Sequence, residues 1–193
     1  MRVVVSFNVP LSISPQFKEP QIKLPVIDLS SKSLDLNLSS WVTKCEEVRH
    51  ALEEYRCFIA VYDGVSRELR DAIFLASQEL FNLPTEVKAL NILDTPYSGY
   101  SGQQAMLPLY ESLGIEDVTT TEVAESFTKL MWPSGNQSFC ESVLMYSKAV
   151  AELDQLVMKM VAKSYGIEEH YESIWGKCLV VLDDNRFGGN VKN

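Results

Sequence analysis

Histidine is scarce in this 193-residue chain, occurring only as His50 and His170. Metal chemistry that rests on several imidazoles therefore has little to draw on. The four cysteines, Cys45, Cys57, Cys140 and Cys178, are widely spaced and form no CxxC pair. They read as free thiols in a reducing compartment, not as a disulfide frame or a zinc site. No run approaches 18 uninterrupted apolar residues, so no membrane span is expected, and the apolar start Met1–Phe7 is too short for a signal h-region. Basic residues are outnumbered 17 to 26, which gives a formal charge of −9 and a pI near 4.8. That balance argues against nucleic acid and against an anionic membrane surface as partners. A soluble, cytoplasmic protein is the resulting expectation.

Several catalytic signatures are missing too. There is no G-x-S-x-G, no Gly-rich phosphate loop and no Cys–His pair with sequence support. The paired carboxylates Glu46-Glu47, Glu53-Glu54 and Glu168-Glu169 fall on helices or their ends and read as solvated faces. Asp183-Asp184 reads as a turn.

What is present is a globular composition, 46% hydrophobic and 22% charged, at a length suited to one domain. Its longest periodic stretch is 137–165. Phe139, Val143, Tyr146, Val150, Leu153, Val157, Met160 and Ser164 recur in alternating steps of four and three, which places them on one face of a helix. Lys148, Asp154, Lys159 and Lys163 fall mostly off that stripe, as solvent-facing positions should. Gly166 stands just past the end, where a left-handed cap is usual.

The rest reads in order. Residues 1–21 form a loose lead with three prolines. Leu24–Leu29 reads as a strand, Ser30–Leu38 as polar and turn-like, and Trp41–Tyr55 as a helix capped by Ser39 or Ser40. Cys57–Tyr62 is the best strand, ended by Asp63-Gly64. Ser66 caps a helix to about Phe81, and Pro84 opens a short one through Lys88. Between Leu90 and Gln137 lies an aromatic, turn-rich stretch, with six acidic residues and no basic one from Ala89 to Thr128. It is expected to be an ordered loop with short strands near Tyr100 and Phe127.

The order of Leu24-Pro-Val-Ile-Asp-Leu29, a helix, Cys57-Phe-Ile-Ala-Val-Tyr62, a helix, and Phe81-Asn-Leu-Pro-Thr-Glu-Val-Lys88 resembles the plant 2-oxoglutarate- and iron(II)-dependent dioxygenases. Gly99-Tyr100, Trp132-Pro133 and the long helix after Phe139 continue the match, from about Ile22 to Ser173. The wording of Gly99–Gln103 and Phe127–Trp132 is most similar to the branch holding the glucosinolate side-chain enzymes. The resemblance implies a helix-rich α+β fold: the helical region that precedes the family's catalytic jelly roll, with one long helix, a small sheet and the jelly roll itself absent. It implies oxidoreductase chemistry on small plant metabolites. Arg56 departs from it, because the family usually has Gly before the second strand, and it is expected to strain that turn.

In the family, iron(II) is held by H-x-D and a distant His, and 2-oxoglutarate by the Arg of an R-x-S motif. Here His50 is followed by Ala-Leu, His170-Tyr-Glu172 spells H-x-E with no His downstream, and no arginine is followed by x-Ser. The expectation is a chain that holds neither iron nor 2-oxoglutarate and has no catalytic residue, inactive alone. The family sequence is expected to be interrupted near Ser173, leaving 174–193 as a divergent tail in which Lys177–Leu182 forms one strand.

By the same resemblance Tyr100 and Gln103 are substrate-pocket residues. A second function class stands beside the first, a non-catalytic helical interaction module. The stripe over 139–160 is expected to remain an exposed apolar face, and self-association through it follows.

Overall fold

The computed structural model describes residues 4–5, 23–34, 38–93, 98–103, 110–170 and 179–185. In chain order the strands are β1 Val4–Val5, β2 Val26–Asp28, β3 Ile59–Val61, β4 Tyr100–Ser101, β5 Tyr110–Glu116 and β6 Leu179–Asn185. The helices are α1 Ser31–Leu34, α2 Leu38–Tyr55, α3 Arg67–Phe81, α4 Thr85–Lys88, α5 Thr121–Met131 and α6 Gln137–Tyr165, with a 3-10 turn at Glu168–His170. Two compact units result, one of Ile13–Ser66 with Ala149–Gly176, the other of Met1–Ser12, Arg67–Lys148 and Lys177–Asn193.

In the first unit β2 and β3 pair in parallel, Val26 opposite Ile59 and Asp28 opposite Val61. Parallel partners need a crossover, and α2 supplies it. The inner residues Ile27 and Leu29 meet Cys45, Val48 and Ala51 of α2 and Val157 and Met160 of α6 in one buried cluster. Each Val, Leu, Ile or Met among them contributes roughly 1.5–3 kcal/mol on burial, which is how two strands too few for a stable sheet are held. The strands are shorter than the apolar runs that announce them, and a helical turn, α1, stands in the stretch expected to be irregular. Its Ser31 donates from both backbone and hydroxyl to the Asp63 carboxylate at 3.1 Å, which holds that carboxyl below its ordinary range.

The far end of α6 closes as its Gly166 implies. Gly166 has φ +68°; its N–H donates to Lys163 O and that of Ile167 to Ala162 O at 3.0 Å. The paired bonds make a Schellman cap. Arg49 Nη1 donates to Ser164 O at 2.8 Å, a cation on a last-turn carbonyl. Arg56 has φ +64°, the conformation that Gly adopts without penalty.

The second unit holds a four-stranded sheet in the order β1-β6-β5-β4. β5 lies antiparallel to β4 on one side and to β6 on the other, Leu113 facing Tyr100 and Leu182; β1 runs parallel to β6. The strand expected at Lys177–Leu182 is thus present, shifted to Leu179–Asn185. It takes in Asp183 and Asp184, which were expected in a turn. Gly188, Gly189 and Asn193 lie outside the described residues, as do Ser173 and the lead before Lys23 apart from Val4–Val5.

Two further expectations are corrected here. Phe127 belongs to a helix, not a strand: Thr120 caps α5 by accepting from the Val123 N–H. Ala124, Phe127, Thr128 and Met131 then recur at helical spacing and are buried. The α6 stripe is covered, not exposed. Phe139, Val143, Tyr146, Val150, Val157 and Met160 are all 6% exposed or less, and within this unit Phe139 stacks on Phe127 and packs at a tilt against Trp132, with ring centroids 5.8 and 4.7 Å away. The apolar surface on which self-association was argued is therefore already buried. Asp154, read as solvent-facing, is buried too, and its Oδ1 has no hydrogen-bond partner.

Candidate functional site

The turn carrying Tyr100 and Gln103 is fixed first by backbone. Gly99 sits so close to Asn91 that a Cβ there would meet the Asn91 carbonyl oxygen at 2.5 Å, so only Gly fits without moving main chain. That carbonyl accepts from the Tyr100 N–H at 3.1 Å. The buried Asn91 side chain donates to Gly114 O of β5 at 2.8 Å. One residue thereby ties the turn to the adjoining strand.

Side chains complete it. Lys88, at the end of α4, is 3% exposed. Its ammonium donates to both carboxylate oxygens of Glu111 at 2.8 Å and to Phe81 O at 2.9 Å. All three N–H donors are used, which is the condition for a buried ammonium to be tolerated. The same nitrogen lies 5.4 Å from the Tyr100 ring centroid and 5.9 Å from that of Phe81. The Tyr100 hydroxyl donates to Glu111 Oε1 in a short hydrogen bond. Burial, the bond to Glu111 and the Glu111 charge push the Tyr100 phenol up to about 12, against a smaller opposing effect from a hydrogen bond with Thr85. Gln103, with φ +54°, donates from Nε2 to Thr85 Oγ1 at 2.9 Å.

Tyr100, through Glu111 and Lys88, and Gln103, through Thr85, are thus both tied to α4. Thr85, Lys88, Asn91 and Glu111 escaped sequence reasoning. The available signal was Lys88, the last basic residue before the acidic stretch from Ala89 to Thr128; which of six carboxylates it meets is a matter of strand register.

Among the described residues no group of three or more His, Cys, Asp or Glu able to hold a metal occurs. His50 is exposed on α2, on an open cleft of about 440 Å³ shared with Glu46, Glu47 and Thr43. His170 ends the 3-10 turn, and Tyr171 and Glu172 lie outside the described residues. No helix among the described residues is long and apolar enough to cross a membrane.

With this geometry in view, the likeness to known proteins is specific. A family model described as the N-terminal region of the non-haem dioxygenase in morphine synthesis matches residues 24–132. The chain is 42% identical to the 2-oxoglutarate-dependent dioxygenase AOP3 of Arabidopsis thaliana over 94% of its own length and 45% of the relative's. It is 37% identical to a probable inactive 2-oxoglutarate-dependent dioxygenase, AOP2, of the same plant, over 89% of its length and 43% of the relative's. Among solved structures it is similar to the 2-oxoglutarate complex of the Arabidopsis dioxygenase for auxin oxidation 1, with a TM-score of 0.64 at 27% identity over 75% of this chain and 51% of that one. The chain belongs to the 2-oxoglutarate-dependent dioxygenase family and contains its N-terminal region, in the branch that Gly99–Gln103 and Phe127–Trp132 implied. It spans less than half the length of the curated relatives it matches.

Proposed function

We propose that these 193 residues form the substrate-side portion of an iron(II)- and 2-oxoglutarate-dependent dioxygenase acting on a small plant metabolite. In this reading they bind neither iron nor 2-oxoglutarate by themselves. The observation that carries it is that Tyr100, through Glu111 and Lys88, and Gln103, through Thr85, are both tied to α4, which makes the Gly99–Gln103 turn a built, hydrogen-bonded feature. The family supplies the oxidising chemistry through a His-carboxylate-His set and an R-x-S arginine, and neither pattern occurs in this chain. Its own residues hold and shape one wall of a substrate pocket.

The purified 193-residue polypeptide should lose iron(II) on desalting and form no succinate from 2-oxoglutarate. Stoichiometric retained iron, or iron-dependent succinate, overturns the reading. In a full-length family member, replacing the Tyr that matches Tyr100 by Ala should change substrate affinity and leave iron content alone. The second reading, a non-catalytic interaction module, gains from the covered α6 stripe, since such a module must be folded by itself. A sharp cooperative melt of a monodisperse 193-residue chain would favour it.

A further inference from the structure

The pocket reading leaves open which atoms of the turn face a ligand. Tyr100 is half-buried, and its hydroxyl is occupied: it donates to Glu111. The Lys88 ammonium approaches its ring, and the Tyr100 hydroxyl packs so tightly on Gly102 that a Cβ there would lie 2.5 Å away. Glu111 is itself held by two bonds from one buried ammonium. Gln103 is exposed and commits its Nε2 to Thr85, so its amide oxygen is the acceptor that remains for an incoming donor.

We propose that Glu111, anchored by Lys88, is a positioning residue that keeps the Tyr100 hydroxyl turned into the protein, so that the turn meets a ligand with the Tyr100 ring and the Gln103 amide and not with the phenol. The matching ligand carries an apolar or π surface beside a hydrogen-bond donor. This rests on the reading of the turn as a pocket wall only for its bearing on the ligand; the clamp is a property of this chain alone.

The test uses the whole 193-residue chain labelled with ¹³C at the tyrosine ζ carbon, with the Tyr100 signal assigned by its loss in Tyr100→Phe. Between pH 7 and 11 this signal should keep its phenol position while an ordinary, exposed tyrosine ionises. Amide exchange is read beside it. Tyr100→Phe should speed exchange of the amides at positions 100 and 101 about tenfold, one charge-assisted hydrogen bond's worth, with little change in α6. Lys88→Met/Glu111→Leu, which removes both charges together, should do the same without stranding either. Ionisation of Tyr100 near pH 10, or unchanged exchange in the turn, overturns the clamp and leaves the pocket reading intact. An intact clamp in a full-length family member whose substrate affinity ignores the Tyr→Ala change overturns the pocket reading instead, and with it the ligand assignment.

Discussion

The Lys88 ammonium lies 2.8 Å from both carboxylate oxygens of Glu111, on a lysine side chain only 3% exposed and a glutamate side chain 19% exposed. Taking two charges out of water costs several kcal/mol per ion, so the pair adds little net stability compared with an apolar pair of the same volume. Removing one partner is another matter, because the survivor is left charged and poorly solvated.

Lys88→Met should therefore destabilise the chain by about 3 kcal/mol, while Lys88→Met/Glu111→Gln should stay within about 1 kcal/mol of wild type. Urea midpoints for the two single variants and the double variant give the coupling directly. Additive losses would mean the ion pair does not form.

Arg56 stands with φ +64°, at the position where the resemblance implied Gly. A side chain in that region costs roughly 1–2 kcal/mol, partly offset by the extra freedom Gly gains when unfolded. Arg56→Gly should stabilise the chain by about 1 kcal/mol, seen as a rise in the melting midpoint. A fall would show that the arginine makes contacts worth more than the strain.

These two positions mark how far the chain could be read in advance. Arg56 stood out through the resemblance, which implies Gly there, and its φ of +64° shows that the demand for a left-handed residue between helix and strand is a local one. The bounds of α6, its Gly166 cap and the span of α3 are local in the same sense. Strand β5 was not legible: Tyr110-Glu-Ser-Leu-Gly-Ile-Glu116 has a central Gly and a weak period, and it is made a strand by partners on both sides. Phe127 was expected in a short strand within an ordered loop, whereas the Thr120 cap and the spacing of Ala124, Phe127 and Met131 decide for a helix. In the site, Tyr100 and Gln103 came from resemblance, while Lys88 and Glu111 become visible only when residues far apart in the chain meet.

Asp154 makes the same point through its protonation. Burial pushes its carboxyl upward from the ordinary value. The folded state then holds the proton more tightly than the unfolded state, so this group's contribution is most favourable below the unfolded pKa. It is lost as pH rises through the folded one. Asp154→Asn should melt higher than wild type at pH 7.5, by on the order of 1 kcal/mol, with the gap closing toward pH 4. Equal or lower stability of the variant at pH 7.5 would mean the carboxylate is solvated or paired.

Strand β5 also has a history imposed by its position. Its β4 edge is filled by residues just upstream, but its other edge belongs to β6, roughly 60 residues later in translation. At ribosomal speeds of about 5–20 residues per second, that edge stays open for on the order of 3–12 s on the nascent chain. An unpaired edge is a template for another strand. Glu111 and Glu116 put charge on the strand itself, one of the means by which an open edge resists pairing with another chain.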